Sequence, residues 1–170
     1  LLDGYMNAVG VDIEWALVHA LIRQESMFDT QARSPVGARG LMQLMPATAR
    51  EVARRVGVRH NANWLTQRPD HNILLGTTYL RELLARYDGY YPFAIAAYNA
   101  GPGRVDRWIK TYGDPRTGAV SLLDWIEMMP IYETRNYVQR VLESTYIYRL
   151  RLKDHDTTAQ TSLHVSMPYP

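Results

Sequence analysis

From Trp15 onward, apolar residues recur at spacings of three and four, interrupted by short breaks of Pro, Gly and Asp. This is the period of amphipathic helices around a shared core. The first helix is expected from about Asp12 to Met27, with Asp12 as its N-cap. On its wheel Trp15, Val18, Leu21 and Ile22 share a face, and His19 and Arg23 point away from it. Glu25 falls with the apolar residues, three positions after Ile22 and four after Leu21. Ser34 to Arg39 reads as a loop broken by Pro35 and Gly37. Pro46 suits the first position of a second helix, with Ala49, Val52, Ala53 and Val56 on one face until Gly57 ends it. His60 to Pro69 is irregular and polar. A third helix is expected from about Asp70 to Tyr87, with Ile73, Thr77, Leu80, Leu84 and Tyr87 as its stripe and Asp88-Gly89 as its stop.

Pro92 to Ala100 is apolar or aromatic from Phe93 through Tyr98. A short helix without a polar face belongs inside a bundle, where its alanines allow neighbours to come close. Gly103 to Tyr112 suits another short helix, and Thr111 to Ala119 a turn-rich loop. The longest helix runs from Ile131 to about Lys153, with Val138, Val141, Leu142, Thr145 and Leu152 at helical spacing. No strand is expected beyond a small hairpin between Ser34 and Leu44. The pattern describes a mainly α domain over residues 1–153. Residues 154–170, rich in Thr, Ser, His and Pro with little period, read as a C-terminal tail.

A chain of 170 residues with 46% hydrophobic content suffices for one domain with one core. No apolar run approaches the ~20 residues that span a bilayer, so no integral membrane segment is expected. With neither an initiator Met nor a signal peptide, the chain reads as part of a longer precursor. The absence of cysteine excludes disulfides and thiolate chemistry. The formal charge is only +2, and the Lys and Arg residues are scattered, which gives no nucleic-acid footprint. Twelve Tyr and four Trp against two Phe is a stronger bias. Their flat faces and polar edges suit sugar rings and half-buried helix contacts alike.

Glu25 changes the picture most. A carboxyl on the apolar side of a helix is poorly solvated, which disfavours its charged form and raises its pKa. It can then hold a proton near neutral pH, as a general acid must. A glycosidase ordinarily pairs two carboxyl groups. Near Glu25 in sequence the only candidates are Asp29, beyond the helix end, and Glu51, which sits with Arg54 and Arg55 on a polar face suited to an exposed ion pair.

Five segments occur in a specific order: Gln24-Glu25-Ser26, Ser34-Pro35-Val36-Gly37-Ala38, Gly40-Leu41-Met42-Gln43-Leu44-Met45-Pro46, Ala97-Tyr98-Asn99-Ala100-Gly101-Pro102-Gly103, and Glu133-Thr134-Arg135-Asn136-Tyr137-Val138. Over roughly Leu17 to Tyr148 the chain resembles the catalytic domain of soluble lytic transglycosylases, the goose-lysozyme-like enzymes that cleave bacterial cell-wall glycan. The resemblance implies a lysozyme-like helical fold and a peptidoglycan substrate, hence a periplasmic setting. It implies no cofactor or metal, and it suggests an upstream helical region in the full protein. It also implies a reaction that uses Glu25 alone, as acid and then as base, and leaves 1,6-anhydro-N-acetylmuramic acid ends. Carried over residue by residue, Ser34 lies close to the catalytic glutamate. Gln43, Met45, Tyr98 and Asn99 line the glycan cleft, and Glu133, Arg135 and Tyr137 belong to the last motif. Hydrolytic goose-type relatives carry an aspartate just after the Gln, where this chain has Leu44 and Met45. Asn136 and Arg39 replace smaller residues common in close relatives. The competing readings are a hydrolytic lysozyme, a peptidoglycan-binding domain without catalysis, and a helical interaction module.

Overall fold

The computed structural model describes residues 13–164, so the expected Asp12 cap lies outside it. Helix α1 (Trp15–Ser26) is followed by α2 (Pro46–Arg55), α3 (Trp64–Gln67), α4 (Pro69–Arg86) and α5 (Tyr91–Ala100). After these come α6 (Pro102–Tyr112), a 3-10 turn (Pro115–Thr117), α7 (Leu122–Glu127) and α8 (Tyr132–His164). Prolines occupy the first turn of α2, α4, α5 and α6, where a missing N–H costs nothing. The expected hairpin exists only as two bridges, Arg33 to Arg39 and Arg39 to Leu44. Two helical segments were not foreseen: α3, inside the stretch read as irregular, and α7. Helix α8 also continues past Lys153 to His164. Among the described residues no helix is long and apolar enough to cross a membrane.

Helix α5 is the hub. Pro92 to Ala97 are buried, and the helix packs against α4, α6 and α8. The expected apolar face of α1 is buried at Val18, Leu21 and Ile22, and Arg23 is exposed. His19, off that face, is half-buried. Its Nδ1 lies 2.8 Å from the Trp15 carbonyl, and its ring sits 5.4 Å from that of Tyr148. Helices α1 and α8 run antiparallel, tied at one end by Arg149, which pairs with Glu14 through Nη2 and Oε2 at 2.7 Å. Tyr91 donates to the same Glu14 oxygen at 2.6 Å.

A smaller cluster of Leu44, Ala49, Val52, Ala53, Leu65 and Leu75 joins α2 and α3 to α4. Tyr79 and Tyr98 touch both clusters, so the loop from Arg33 to Leu44 is held between them. Asn72, almost wholly buried on α4, fastens this loop. It accepts from Met42 N at 2.8 Å and donates to the Arg39 and Leu65 carbonyls at 2.9 and 3.0 Å. Gly40 is obligatory here because its φ is +75° and a Cβ would collide with the Leu65 carbonyl and the Asn72 amide.

Candidate active site

Glu25 lies in the last turn of α1, and Tyr137 lies in the second turn of α8. The antiparallel packing of the two helices brings them together across 112 residues of sequence, and the Tyr137 hydroxyl donates to Glu25 Oε1 at 2.6 Å. Burial pushes the Glu25 carboxyl from its ordinary 4.5 up to about 7. The Tyr137 bond pulls it down and the charge of Glu133 pushes it further up. The Tyr137 phenol is itself held well above its ordinary value by burial and by Glu25, so it remains a donor. With Oε1 occupied, Oε2 is the oxygen that can carry the transferable proton.

Tyr98 stands behind this pair. Its hydroxyl donates to the Met42 carbonyl at 2.9 Å, which pins the loop to α5, and its phenol is raised by burial and by the Glu25 charge. Asn99 follows on the next position and accepts at Oδ1 from the Thr134 hydroxyl at 2.7 Å. The first motif's descent into a loop involves two consecutive residues in the left-handed region, Met27 and Phe28, at φ 52° and 67°. Gln43, on the facing loop, also has a positive φ of 45°. Positive φ costs a non-glycine residue about 1–3 kcal/mol and persists only where the surroundings enforce it.

The sequence pattern of the family described as Transglycosylase SLT domain matches residues 6–120. The chain belongs to that family. The soluble lytic murein transglycosylase of Salmonella typhimurium is 38% identical over 141 residues, covering 82% of this chain and 21% of that protein. The 70 kDa soluble lytic transglycosylase of Escherichia coli superposes with a TM-score of 0.80 at 34% identity, over 89% of this chain and 24% of the other. A glutamate-to-glutamine inactive mutant of the lytic transglycosylase Slt from Pseudomonas aeruginosa gives 0.77 at 41% identity, with the same coverage. The SLT domain described here therefore has the lysozyme-like fold, and it spans between a fifth and a quarter of the length of these relatives.

Within this SLT domain the expected site residues do not all converge. Glu25, Tyr98 and Tyr137 form the centre, and Asn99 is linked to α8 beside it through Thr134. Glu133 is exposed in the first turn of α8 and acts on Glu25 through its charge. Asp29 and Glu51, the sequence candidates for a second carboxylate, are engaged elsewhere. Asp29 accepts from the Gln31 N–H at 2.8 Å, and Glu51 pairs with Arg55 at 3.0 Å. Ser34 closes its turn by accepting from Ala38 N at 3.0 Å, which leaves its hydroxyl proton free to donate. Gln43 spends its amide hydrogens on the Gly40 and Ala32 carbonyls at 2.8 and 3.2 Å, so it braces the loop. Met45 occupies the N-cap position of α2 without a side-chain bond and is 42% exposed. Arg135 stands apart: its guanidinium donates to the Glu127 carbonyl at 2.9 Å, at the C-terminal end of α7.

Asn72 and Thr134 were missed by sequence reasoning. Asn72 had a faint signal, as a polar residue between His71 and Ile73-Leu74-Leu75 where the helix pattern turns apolar. Thr134 had none beyond its place in the last motif.

Proposed function

We propose that this SLT domain is a lytic transglycosylase that acts on murein glycan strands, with Glu25 as its single catalytic carboxyl. The observation that carries this is the Glu25 carboxyl itself, pushed to about 7 by burial while one oxygen is anchored by Tyr137. Such a group is substantially protonated at neutral pH and becomes a competent base once it has given the proton away. In the first step Glu25 donates its proton to the glycosidic oxygen between N-acetylmuramic acid and N-acetylglucosamine as the bond from C1 to that oxygen breaks. In the second, the carboxylate takes the proton of the muramoyl C6 hydroxyl as O6 bonds to C1. The 1,6-anhydro ring closes, Glu25 regains its proton, and no water is consumed. The C6 hydroxyl is tethered to the reacting carbon, which gives it a high effective concentration over water.

Asp29 accepts a local backbone bond and Glu51 pairs with Arg55 on an exposed helix face, which supports a reaction that uses Glu25 without a second carboxylate. The names of the relatives, soluble lytic murein transglycosylases, support the same reading. A murein substrate places the work in the periplasm, and the greater length of the relatives is consistent with an upstream domain. Digestion of purified sacculi followed by mass spectrometry tests the proposal. The products should be muropeptides lighter by one water than lysozyme products and lacking a reducing end. Predominantly reducing N-acetylmuramic acid ends would move the domain to the hydrolytic reading, and Glu133 would then be the carboxylate to mutate first.

A further inference from the structure

Buried threonines in the helices of this domain return their hydroxyl proton to their own helix. Thr77 donates to the Ile73 carbonyl, Thr78 to Leu74 and Thr145 to Val141, each at 2.7 Å and four residues back. Thr134 breaks the habit. It is 1% exposed, yet its hydroxyl donates to Asn99 Oδ1 on α5, 35 residues away, at the same 2.7 Å. In the first turn of α8 the hydroxyl is not captured by the helix ladder and is available to another element.

We propose that Thr134 is a positioning residue that fixes which end of the Asn99 amide faces the glycan. The hydroxyl proton holds the amide oxygen inward, and the geometry of the group then directs Nδ2 outward. Among the described residues Nδ2 has no protein acceptor, and Asn99 is only half-buried. Its two N–H groups therefore open beside the reacting carboxyl. Tyr137 lies one turn after Thr134 and holds Glu25, and Tyr98 directly precedes Asn99. A neutral pair of donors suits a hydroxyl or carbonyl oxygen of an uncharged sugar. Without the Thr134 hydroxyl the amide can turn over and present its oxygen, which repels the same acceptor. This inference rests on the proposed function for the nature of the ligand.

Steady-state kinetics on soluble glycan fragments, with Thr134→Val, Thr134→Ser and Asn99→Ala, tests it. Thr134→Val keeps the shape and removes the donor. It should raise KM about five- to tenfold while kcat stays within about twofold, since the lost contact is made in the ground state and the transition state alike. Thr134→Ser restores the donor and should restore KM. In an Asn99→Ala background, Thr134→Val should change KM no further. Wild-type KM in Thr134→Val overturns the proposal, as does an undiminished increase without the Asn99 amide. Where Thr134→Val does not fold, a raised KM in a folded Thr134→Ser protein overturns it equally. The products of the wild-type protein are scored alongside, so reducing ends would count against the proposed reaction and leave the KM comparison valid.

Discussion

Removing the Glu25 charge should make the domain more stable while abolishing its activity, and the gain should depend on pH in a defined way. Burial holds the carboxyl at about 7 in the folded domain, against an ordinary 4.5 that an unfolded chain would show. The folded state therefore binds the proton more tightly. The protonated form contributes its full share of stability below pH 4.5, and that share is lost as the pH rises through about 7. At 1.36 kcal/mol per pH unit, the interval from 4.5 to about 7 amounts to about 3 kcal/mol, trimmed to roughly 2–3 kcal/mol because the residue as a whole is not fully buried. In Glu25→Gln the amide oxygen can still accept from Tyr137, but the group cannot ionise. Urea melts of both proteins should then agree within about 1 kcal/mol at pH 5 and differ by about 2–3 kcal/mol at pH 8 in favour of the variant. The variant should show no turnover of sacculi at either pH. A stability difference that is the same at pH 5 and pH 8 would refute the burial argument, and residual wild-type turnover would refute the role of Glu25.

Tyr137→Phe removes the bond that lowers the Glu25 pKa, so the alkaline limb of the pH–activity profile should move to higher pH, with reduced kcat. Glu133→Gln removes the charge that raises it, so the same limb should move to lower pH; shifts in one direction for both variants would contradict the electrostatic account. Gly40→Ala forces a Cβ against the Leu65 carbonyl at a φ of +75° and should cost about 3 kcal/mol or more in urea melts, a loss under about 1 kcal/mol being the contrary result. Truncation after Lys153 removes the end of α8 and should leave cooperative unfolding and activity intact, because the motifs and the described core lie before it.

Most of the fold was legible because its longer helices carry apolar stripes, or in α5 an unbroken apolar run, set between Pro and Gly breakers. Helices α1, α2, α4, α5 and α6 begin and end within a few residues of where period and breakers place them. What escaped was too short to show a period. Helix α3 has four residues and α7 has six. A local signal for α7 was nonetheless available. Ser121 accepts from Asp124 N at 3.1 Å as the N-cap, and its hydroxyl donates to the Asp124 carboxylate at 2.7 Å; a Ser just before an apolar pair announces such a cap. The hairpin between Ser34 and Leu44 shrank to bridges because many of its backbone bonds close short turns, as Gly37 N to the Ser34 carbonyl and Gln43 N to the Gly40 carbonyl do, and Met42 N is taken by Asn72, a partner 30 residues away that periodicity cannot supply.

The site divides along the same line. That Glu25 is desolvated follows from its place on the wheel, a property of twelve consecutive residues. That it is anchored by a tyrosine 112 residues later is a property of how two helices align, and only the family resemblance marked Tyr137 as a site residue in advance. The two influences oppose each other. Burial alone would make Glu25 reluctant to give up its proton, and a strong tyrosine bond alone would leave it ionised, with no proton to give and weakened as a base. Sequential acid and base duty by one group needs a pKa near the working pH, which burial raised by Glu133 and restrained by Tyr137 provides. Helix α8 carries both adjusting residues four positions apart on one face, so its docking on α1 sets the proton affinity of the carboxyl.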